Sequence, residues 1–302
     1  MIPIRKVVTP DQEIYKADIL IEALPYLQAY RDQTILIKFG GSAMDNPELV
    51  KSLMRDIVVM ETMGLNPVVV HGGGKAISKA LADAGLEARF VNGLRVTTPE
   101  AIDIVERTLS GTINPGLVEM MRAHGGKAVG IPGTNVFVGE KIMEKDAEGN
   151  PVDIGMVGNV IGCQLSRVKE ALSLQLTPVI SPLARELGTN HSLNVNADLA
   201  AAALARELKP VKLVYISDVP GLMNDPGNPG TIIQSINRME AFELIEQGVI
   251  SGGMIPKVKS AVDALNAGVR KVHFIDGRLR HTLLLEIFTP EGIGTEIVRE
   301  QR

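Results

Sequence analysis

The apolar run Thr34–Phe39 ends in residues that could bind phosphate, because Lys38 is followed by Gly40 and Gly41. Glycines let a backbone approach a phosphate closely, and a lysine supplies a positive charge. A strand-to-helix turn with a surface lysine explains this segment alone equally well. The chain contains no Gly-x-x-x-x-Gly-Lys-Ser/Thr pattern, which excludes a Walker A loop.

Three consecutive glycines, Gly72 to Gly74, follow a second apolar run and His71. Such a triplet is costly in chain entropy, and a tight turn needs only one or two glycines. The triplet therefore favours backbone amides that point at a ligand beside a helix N-terminus. His71 alone is better explained as a packed or hydrogen-bonded histidine than as a catalyst.

Arg95 lies in the loop segment Asn-Gly-Leu-Arg-Val-Thr that ends at Thr97. An arginine beside a strand end is the usual clamp for a substrate carboxylate, because its guanidinium binds two oxygens at once. Without further context, a solvated loop arginine is the simpler interpretation.

Two more segments carry charge at the start of predicted helices. Asn194-Val-Asn-Ala-Asp198 precedes an alanine-rich helix, where Asn196 and Asp198 could be no more than helix caps. The glycine-rich stretch from Ser251 leads to Lys257 at the mouth of another helix, which is a weak signal by itself.

Taken together, these segments describe a phosphoryl-transfer site without a covalent nucleophile. Phosphoryl transfer needs mainly positioning and charge neutralisation of phosphate oxygens, which lysine, arginine and glycine amides supply. The five histidines are scattered and the one cysteine, Cys163, has no partner cluster, so no zinc or iron site is indicated. Neither a Gly-x-Ser-x-Gly elbow nor a Gly-x-Gly-x-x-Gly fingerprint occurs.

Strand-like runs alternate with helical patterns along most of the chain, which predicts a mainly parallel sheet with helices on both faces. The predicted strands are Thr34–Phe39, Pro67–Val70, Ala128–Gly130, Thr177–Ile180, Lys212–Ser217 and Lys271–Ile275. The predicted helices begin at Pro47, after the glycine triplet and at Thr98, and cover Asp198–Leu208, Met239–Gln247 and Lys257–Ala267. The glycine-rich stretch from Ile131 to Gly162 instead predicts hairpins, with a turn at Glu148-Gly-Asn150.

An amphipathic helix is predicted ahead of the first strand. Thr9 suits its cap, Pro10 its first position, and apolar residues recur at helical spacing from Ile14 to Leu27. Pro25 should bend or end this helix. Its apolar stripe needs a covering surface, either the chain's own core or a neighbouring subunit.

The composition excludes several classes of protein. A chain of 302 residues with 45% hydrophobic residues can bury a sizeable core. Its net charge of -4 disfavours nucleic acids and anionic membranes as partners. The single cysteine fits a reducing cytoplasm, and no signal peptide or membrane-spanning run is expected.

The charged and glycine-rich segments, in this order along the chain, resemble the acetylglutamate kinases within the amino acid kinase family. The matching segments are Lys38-Phe-Gly-Gly41, Val70-His-Gly-Gly-Gly74, Asn92-Gly-Leu-Arg-Val-Thr97, Asn194-Val-Asn-Ala-Asp198, Ser217-Asp-Val-Pro-Gly-Leu222 and Gly252-Gly-Met-Ile-Pro-Lys257. The resemblance implies a three-layer αβα sandwich around one central, mainly parallel eight-stranded sheet. It also implies an oligomerisation helix at residues 1–30, a lobe at 31–205 for the acyl acceptor, and a lobe at 206–302 for ATP and an effector.

The resemblance implies that ATP phosphorylates the γ-carboxylate of N-acetyl-L-glutamate to N-acetyl-L-glutamyl 5-phosphate, in the second step of arginine biosynthesis. The implied catalytic residues are Lys38, Lys257, Asp198, Gly41 and Gly74. The implied acceptor-binding residues are Gly73, Gly74, Arg95 and Asn194. The implied nucleotide-binding residues are Lys38, Gly40, Gly41, Asp218, Val219, Gly221, Leu222 and Lys257. Mg²⁺ would be held mainly by the ATP phosphates, without metal ligands from the protein.

In the implied mechanism, Lys38 and Lys257 neutralise the phosphoryl group, and Asp198 orients both lysines. Asp198 is not needed as a base, since a carboxylate nucleophile is already ionised at neutral pH. The amides of Gly41 and Gly74 bind the transferring oxygens. Arg95 clamps the α-carboxylate of the acceptor, while Asn194 and Gly73 hold the rest of that molecule.

The resemblance also implies feedback inhibition by L-arginine in a cytoplasmic homo-oligomer, a hexamer of linked dimers. Arginine-sensitive members carry an N-terminal helix like the one predicted here, interlaced between subunits. The implied effector residues are Tyr26, Lys212, His273, Glu286 and Gly292. Glu286 would bind the effector's guanidinium and Lys212 its α-carboxylate. Alternatively, the helix covers the sheet edge and these residues only pack.

One segment departs from the family pattern: Ile131-Pro-Gly-Thr-Asn-Val-Phe137 replaces an element with Gly-Lys-Asp or Gly-Asp-Gly. Rival enzymes are aspartokinase, whose regulatory modules would not fit after Glu286, and glutamate 5-kinase, carbamate kinase and uridylate kinase. A carrier-protein-bound aminoadipate kinase should have a more basic acceptor face. A non-catalytic homologue should have lost Lys38, Asp198 or Lys257, and all three are present.

Overall fold

The computed structural model describes residues 10–146, 148–290 and 292–300. Its strands are β1 (Thr34–Phe39), β2 (Asn66–His71), β3 (Phe90–Val91), β4 (Leu94–Arg95), β5 (Ala128–Ile131), β6 (Phe137–Lys145), β7 (Pro151–Cys163), β8 (Thr177–Ile180), β9 (Leu183–Glu186), β10 (Ser192–Asn194), β11 (Lys212–Ser217), β12 (Ser235–Asn237), β13 (Lys271–Asp276) and β14 (Thr295–Val298). Its α-helices are α1 (Pro10–Tyr30), α2 (Pro47–Thr62), α3 (Gly74–Asp83), α4 (Pro99–Glu106), α5 (Asn114–Ala123), α6 (Ser166–Ser173), α7 (Ala197–Leu208), α8 (Arg238–Glu246), α9 (Met254–Asn266) and α10 (Thr282–Phe288). A π-helical segment, Arg107–Ile113, joins α4 to α5.

Eight strands form the central sheet in the order β12-β14-β13-β11-β1-β2-β8-β5. All neighbours in it are parallel except β13 and β14. The predicted mainly parallel sheet is therefore confirmed, and β1, β8 and β11 have the predicted bounds. Runs of β-branched and aliphatic residues form these strands because both faces of the sheet are covered.

Alternate residues of each central strand enter two different cores. Ile35 and Ile37 of β1 pack into the core that α2, α5 and α10 cover, while Leu36 packs into the core under α6 to α9. The three residues have no exposed surface. A layer of helices on each side of one sheet is the predicted αβα sandwich.

A small closed barrel of β6, β7, β9 and β10 extends from this sandwich. β6 and β7 pair as the predicted hairpin, which turns between Asp146 and Asn150. The atypical segment Ile131–Phe137 forms a turn in which the Gly133 amide donates to Ser181 Oγ at 2.9 Å. A Cβ at Gly133 would lie 2.0 Å from the Ser181 carbonyl oxygen, so this turn requires glycine.

Of the two predicted effects of Pro25, ending the helix is wrong, because α1 continues past it to Tyr30, and a bend at Pro25 stays a prediction. Pro25 is exposed. The predicted cap, Thr9, lies outside the described residues. Six large apolar residues of α1 are exposed: Ile14, Tyr15, Ile19, Leu20, Ile21 and Leu24. Within the part of the chain that the structure describes, the predicted apolar stripe is therefore uncovered. No helix among the described residues is long and apolar enough to cross a membrane.

Candidate active site

A cavity of about 550 Å³ opens beyond the carboxyl ends of β1, β2 and β11. Residues from all the predicted catalytic and acceptor-binding segments except that of Lys257 line it, together with Asp218 from the predicted nucleotide segment. They are Lys38, Gly41, Gly73, Gly74, Arg95, Asn194, Asp198 and Asp218. Carboxyl ends of parallel strands are where ligands bind in open α/β sheets.

A triad of charges lies at the centre of the sheet edge. Lys38 Nζ is 2.7 Å from Asp198 Oδ1, and Lys257 Nζ is 4.0 Å from Asp198 Oδ2. Lys257 also donates to Ser217 Oγ at 3.5 Å. One carboxylate thus holds two ammonium groups side by side, and their combined charge suits an anion larger than a carboxylate.

Each member of the triad has a rigid support. Lys38 belongs to the central strand β1, and Asp198 lies in the first turn of α7. The Asn196 side chain caps that helix by accepting from the amide of Asp198 at 2.8 Å. The helix α9 begins at Met254, earlier than predicted, so Lys257 lies in the helix and not at its mouth.

Two of the site's glycines are explained by close packing of backbones. The Gly72 amide donates to the Phe39 carbonyl at 2.6 Å, which brings the loops after β1 and β2 together. A Cβ at Gly72 would lie 3.1 Å from Gly40 Cα. By contrast, Gly41 and Gly74 have open space at their Cβ positions, and Gly41 has a φ of +71°. These two glycines leave room for a ligand beside the backbone.

Arg95 is presented by a tight hairpin. Asn92 and Gly93 both have positive φ and connect β3 to β4, as in a two-residue Asn-Gly turn. This turn pairs Arg95 with Phe90, whose ring lies 4.6 Å from the guanidinium carbon. Sequence reasoning predicted the arginine but did not identify the turn that positions it.

Among the described residues, one terminal nitrogen of the Arg95 guanidinium makes hydrogen bonds and the other makes none. Its Nη2 donates to the Gly74 carbonyl at 2.7 Å and to Ser78 Oγ at 2.9 Å. Its Nη1 is buried and has no partner in the part of the chain that the structure describes. Burial lowers the pKa of Arg95 from its ordinary value, yet a guanidinium stays charged at neutral pH. An unpartnered buried donor on a charged group can donate a hydrogen bond to a carboxylate oxygen of a ligand.

The floor of the cavity is tied to the small barrel. Asn194, the last residue of β10, donates to Thr97 Oγ1 at 3.1 Å. Thr97 in turn binds β7, because its carbonyl accepts from the Met156 amide at 2.6 Å. A Cβ at Gly155 would lie 2.1 Å from that carbonyl, so glycine allows this contact.

The predicted nucleotide segment lies beside the cavity and only partly lines it. Asp218 is exposed in the lining, whereas Leu222 is buried and its amide donates to Thr295 Oγ1 at 2.8 Å. A Cβ at Gly221 would lie 2.6 Å from the same hydroxyl. Close packing against β14 therefore accounts for Gly221, independently of any ligand.

Three residues near the site were missed or unexplained by sequence reasoning. Ser217 binds Lys257, and Ser78 binds Arg95. Lys75, which the sequence did not explain, lies 2.6 Å from Asp45 across the mouth of the glycine loops. Sequence spacing gives no signal for these contacts, since the partners come from different elements.

A second group of the predicted residues lies at the opposite end of the sheet. His273 Nδ1 is hydrogen-bonded to Glu286 Oε1, and Glu286 Oε2 accepts from the amides of Ile293 and Gly294 at 2.8 and 3.0 Å. Burial alone would raise the pKa of Glu286, but these hydrogen bonds hold it below its ordinary value. Both oxygens of the predicted guanidinium partner are therefore already engaged.

Lys212 begins β11 and lines a large cavity of about 1010 Å³ at this end. Its Nζ lies 5.0 Å from the ring centre of Tyr30, which sequence reasoning did not identify. Burial and the neighbouring Lys271 lower the pKa of Lys212 to about 8. Tyr26 is half-buried, and a Cβ at Gly292 would lie 2.7 Å from Glu286 Oε2.

Comparison with known proteins places the chain among enzymes of one kind. The sequence pattern of the amino acid kinase family matches residues 33–276. An acetylglutamate kinase of Akkermansia muciniphila is 75% identical over 289 residues, which cover 96% of this chain and 97% of the relative.

Solved structures show the same fold at lower identity. N-acetylglutamate synthase of Neisseria gonorrhoeae with coenzyme A and N-acetyl-glutamate is 24% identical, with a TM-score of 0.82 over 95% of this chain and 64% of that one. The same synthase with coenzyme A and L-arginine is 23% identical, with a TM-score of 0.77 over 94% and 65% of the two chains.

Proposed function

We propose a residue-level mechanism from one premise: the chain belongs to the acetylglutamate kinases, which use ATP to phosphorylate N-acetylglutamate in arginine biosynthesis. The observation that carries the mechanism is the shared cavity. It is lined by Arg95, whose Nη1 is unpartnered among the described residues, and by Lys38 and Asp198, and Asp198 in turn pairs with Lys257. One end of the cavity suits a carboxylate and the other suits a phosphoryl group.

The acceptor is N-acetyl-L-glutamate, bound through Arg95 at its α-carboxylate and through Asn194 and Gly73 along the rest of the molecule. Arg95 has one free buried donor for this purpose, and Phe90 holds the guanidinium plane. The γ-carboxylate then faces Lys38. It is ionised at neutral pH and attacks the γ-phosphorus of ATP directly, without a general base.

Lys38 and Lys257 neutralise the charge on the phosphoryl oxygens during transfer. Asp198 positions both ammonium groups through the ion pairs at 2.7 and 4.0 Å. The amides of Gly41 and Gly74 bind the same oxygens, in space that a side chain would fill. Such preorganised donors act most strongly in the transition state. The product is N-acetyl-L-glutamyl 5-phosphate, and ADP is the leaving group.

ATP lies against the C-terminal lobe, residues 206–302, and the acceptor against residues 31–205. The sheet supports this division, because the first range supplies β11 to β14 and the second supplies β1, β2, β5 and β8. Gly40, Asp218, Val219, Gly221 and Leu222 form the nucleotide side. Mg²⁺ would be held mainly by the ATP phosphates, since Asp198 already pairs with two lysines.

The test of this function is to trap the acylphosphate with hydroxylamine. N-acetylglutamate, glutamate, aspartate and carbamate are compared as acceptors with ATP. We expect hydroxamate from N-acetylglutamate at a rate far above that from the other three. A preference for unacetylated glutamate or aspartate would refute the assignment of the acceptor.

We further propose a cytoplasmic homo-oligomer, a hexamer, in which a second copy of the chain covers the exposed apolar face of α1. Residues 1–30 form the assembly segment. The uncovered stripe supports this, because contiguous exposed apolar side chains on a helix mark an interaction surface. A soluble chain with one free cysteine suits the reducing cytoplasm.

L-arginine is proposed as a feedback inhibitor that binds near Tyr26, Lys212, His273, Glu286 and Gly292. Support comes from the large cavity at Lys212 and from the arginine-bound synthase of the same fold. Because Glu286 is already engaged, the effector's guanidinium must share or replace the bond from His273. True coupling requires arginine to bind one arrangement of the lobes better than another.

The regulatory test is an assay with millimolar arginine before and after removal of residues 1–27. We expect inhibition of the full chain, and a smaller, less sensitive enzyme after the deletion. Inhibition should also weaken above about pH 8, since Lys212 then loses the charge that binds the α-carboxylate. An unaffected full-length enzyme would refute the regulatory proposal. Equal inhibition of a smaller deleted form would limit α1 to assembly.

A further inference from the structure

His71 is fully buried at the end of β2, directly before the glycine triplet. Its Nδ1 lies 2.7 Å from the Gly72 carbonyl oxygen, and its Nε2 lies 3.2 Å from Asn114 Nδ2. Asn114 Nδ2 also donates to the Val179 carbonyl of β8 at 2.8 Å. These contacts form a buried chain of hydrogen bonds that the proposed mechanism does not use.

The chemistry of the partners determines which atom donates in each of these three hydrogen bonds. A carbonyl oxygen can only accept, so His71 Nδ1 carries the hydrogen and donates to Gly72. The neutral ring then has a lone pair on Nε2, which accepts from Asn114. Both hydrogens of the Asn114 amide are used, one by His71 and one by Val179. Burial lowers the pKa of His71 to about 4, in agreement with a neutral ring.

The bond to Gly72 fixes the orientation of one peptide group. The described residues contain no cis peptide bonds, and in a trans peptide the carbonyl and the amide point in opposite directions. With the Gly72 carbonyl held by His71, the Gly73 amide points away from the core toward the cavity that both glycines line. The helix α3 starts at Gly74, and no side chain among the described residues caps it, so its first amides can bind a ligand.

The π-helical segment before α5 completes the support. A Cβ at Gly73 would lie 2.6 Å from Ile113 Cδ1 and 2.7 Å from Leu109 Cδ2, so these two side chains pack directly on the triplet. Asn114 follows the segment, and its Oδ1 occupies the space that a Cβ at Gly130 would fill, 2.1 Å away. Single π-helical turns inside longer helices recur at functional sites.

We propose that His71 and Asn114 are positioning residues, which orient the Gly72–Gly73 peptide so that the amides of Gly73 and Gly74 face the reacting groups. The proposal rests on the proposed function, because those amides bind the acceptor and the transferring oxygens. The glycine triplet then has two roles. Gly72 and Gly73 allow close packing against their neighbours, and the amides of Gly73 and Gly74 are held in a fixed direction.

The kinetic test compares His71→Asn with His71→Gln. The side-chain nitrogen of Asn takes the position of His71 Nδ1, so it can still donate to the Gly72 carbonyl. The side-chain nitrogen of Gln takes the position of Nε2, so the bond to Gly72 is lost. We expect kcat to fall about 10- to 100-fold in His71→Gln and much less in His71→Asn, with the KM for ATP nearly unchanged. Asn114→Leu should resemble His71→Gln. Equal activity of His71→Gln and wild type would overturn the proposal.

A matched control separates positioning from loss of stability. Thr177 is buried at the opposite end of β8 and donates to Glu61 Oε2 at 3.2 Å. Thr177→Val should lower the melting temperature and leave kcat unchanged. If it lowers kcat as much as Asn114→Leu does at equal melting temperature, His71 and Asn114 act through stability alone and the positioning role is refuted.

The tautomer of His71 gives a readout that does not depend on activity. In the full chain labelled with ¹⁵N-histidine, long-range ¹H–¹⁵N NMR spectra should show one neutral ring with the proton on Nδ1 down to about pH 5. A His71 ring that carries its proton on Nε2, or that is charged at pH 6, would overturn the proposal. A wild-type enzyme with the Nδ1–H tautomer that fails to phosphorylate N-acetylglutamate would instead refute the proposed function.

Discussion

Charged residues lie at both ends of strand β11, beside an open cavity at one end and buried at the other. At its carboxyl end, Ser217 contacts Lys257, and the charges of Lys38 and Asp198 face an open cavity. At its amino end, about 16 Å away, Lys212 lies beside the buried pair of His273 and Glu286. The same strand thus connects both charged clusters.

The difference lies in which groups still have bonding capacity. The His273–Glu286 pair is 3% and 4% exposed, and Glu286 uses both of its oxygens within the protein. At the other end, Lys257 is 23% exposed and Arg95 keeps a free donor. Hydrogen bonds that use both oxygens of a buried carboxylate mainly stabilise the fold, whereas unpartnered donors at an open cavity can bind a charged ligand. At the amino end, Lys212 lies at a cavity wall, and the buried Nε2 of His273 has no partner among the described residues.

The largest expected effect on turnover comes from the two lysines of the open cluster, which consists of Lys38, Asp198 and Lys257. Lys38→Ala and Lys257→Ala should each lower kcat by about a hundredfold or more, and change KM far less, because their charge matters most in the transition state. Steady-state kinetics with both substrates measure this. Lys259→Ala, an exposed lysine two residues further along α9, is the matched control and should be neutral. Near-wild-type turnover in either variant would remove that lysine from the mechanism.

Loss of the fully bonded Glu286 carboxylate should lower stability and leave turnover unchanged. Glu286→Gln removes the charge that His273 and two backbone amides bind, so we expect a loss of about 2–4 kcal/mol in the free energy of unfolding. Since the folded pKa of Glu286 lies below its ordinary value of 4.5, this difference is complete at neutral pH and shrinks as the pH falls below that value.

Chemical denaturation at pH 7 and at pH 4 measures the effect of Glu286→Gln. The exposed Glu243 of α8 provides the control, Glu243→Gln, which should be neutral at both values. A hundredfold loss of kcat with unchanged stability would contradict the division between the two ends of β11.

The central strands could be predicted from the sequence because both of their faces are buried. Thr34–Phe39 and Lys212–Ser217 are almost wholly apolar between polar or glycine residues, so the pattern itself marks their bounds. The helices α6 and α10 were not predicted, since they have only eight and seven residues. The proline pattern predicted either a bend or an end of α1 at Pro25, and the structure excludes only the end.

The local pattern pointed to site residues that stand beside glycines at strand ends, and the family resemblance added Asn194, Asp198 and Lys257. Lys38 and Arg95 have such a local context. The bond between His71 and Asn114 joins residues far apart in sequence. Asp198 stands beside the helix cap Asn196, so the local sequence does not indicate that it forms ion pairs with two lysines. No spacing rule links such partners, because the register of the sheet and the crossing of helices decide which loops meet.

Acceptor recognition should show a smaller effect than loss of a catalytic charge. Arg95→Lys keeps a positive charge, but one ammonium group cannot hold Gly74 and Ser78, as Nη2 does, and also replace Nη1 at the acceptor carboxylate, so the KM for N-acetylglutamate should rise about tenfold while ATP binding stays nearly unchanged. Arg89→Lys, an exposed arginine in the same loop region, is the control. An unchanged KM for N-acetylglutamate would place Arg95 outside the acceptor site.

The smallest expected effect concerns Lys75 and Asp45, an ion pair at the mouth of the open cluster. The two side chains meet at 2.6 Å and join the start of α3 to the turn after β1, but the lysine side chain is 77% exposed. Exposed pairs contribute at most about 1 kcal/mol and are screened by salt. The pair should therefore adjust the spacing of the Gly41 and Gly74 loops without determining it.

A double-mutant cycle of Lys75→Met and Asp45→Asn measures that contribution. We expect each single variant to lower kcat/KM by about two- to fivefold at low salt, with the double variant no worse than either one. The effect should fade as the salt concentration rises, because only the Coulomb attraction is lost. Additive losses that persist at high salt would show instead that Lys75 contacts the phosphates itself. The open cluster would then contain three phosphate-binding lysines, and the pair with Asp45 would hold the third one only while the site is empty.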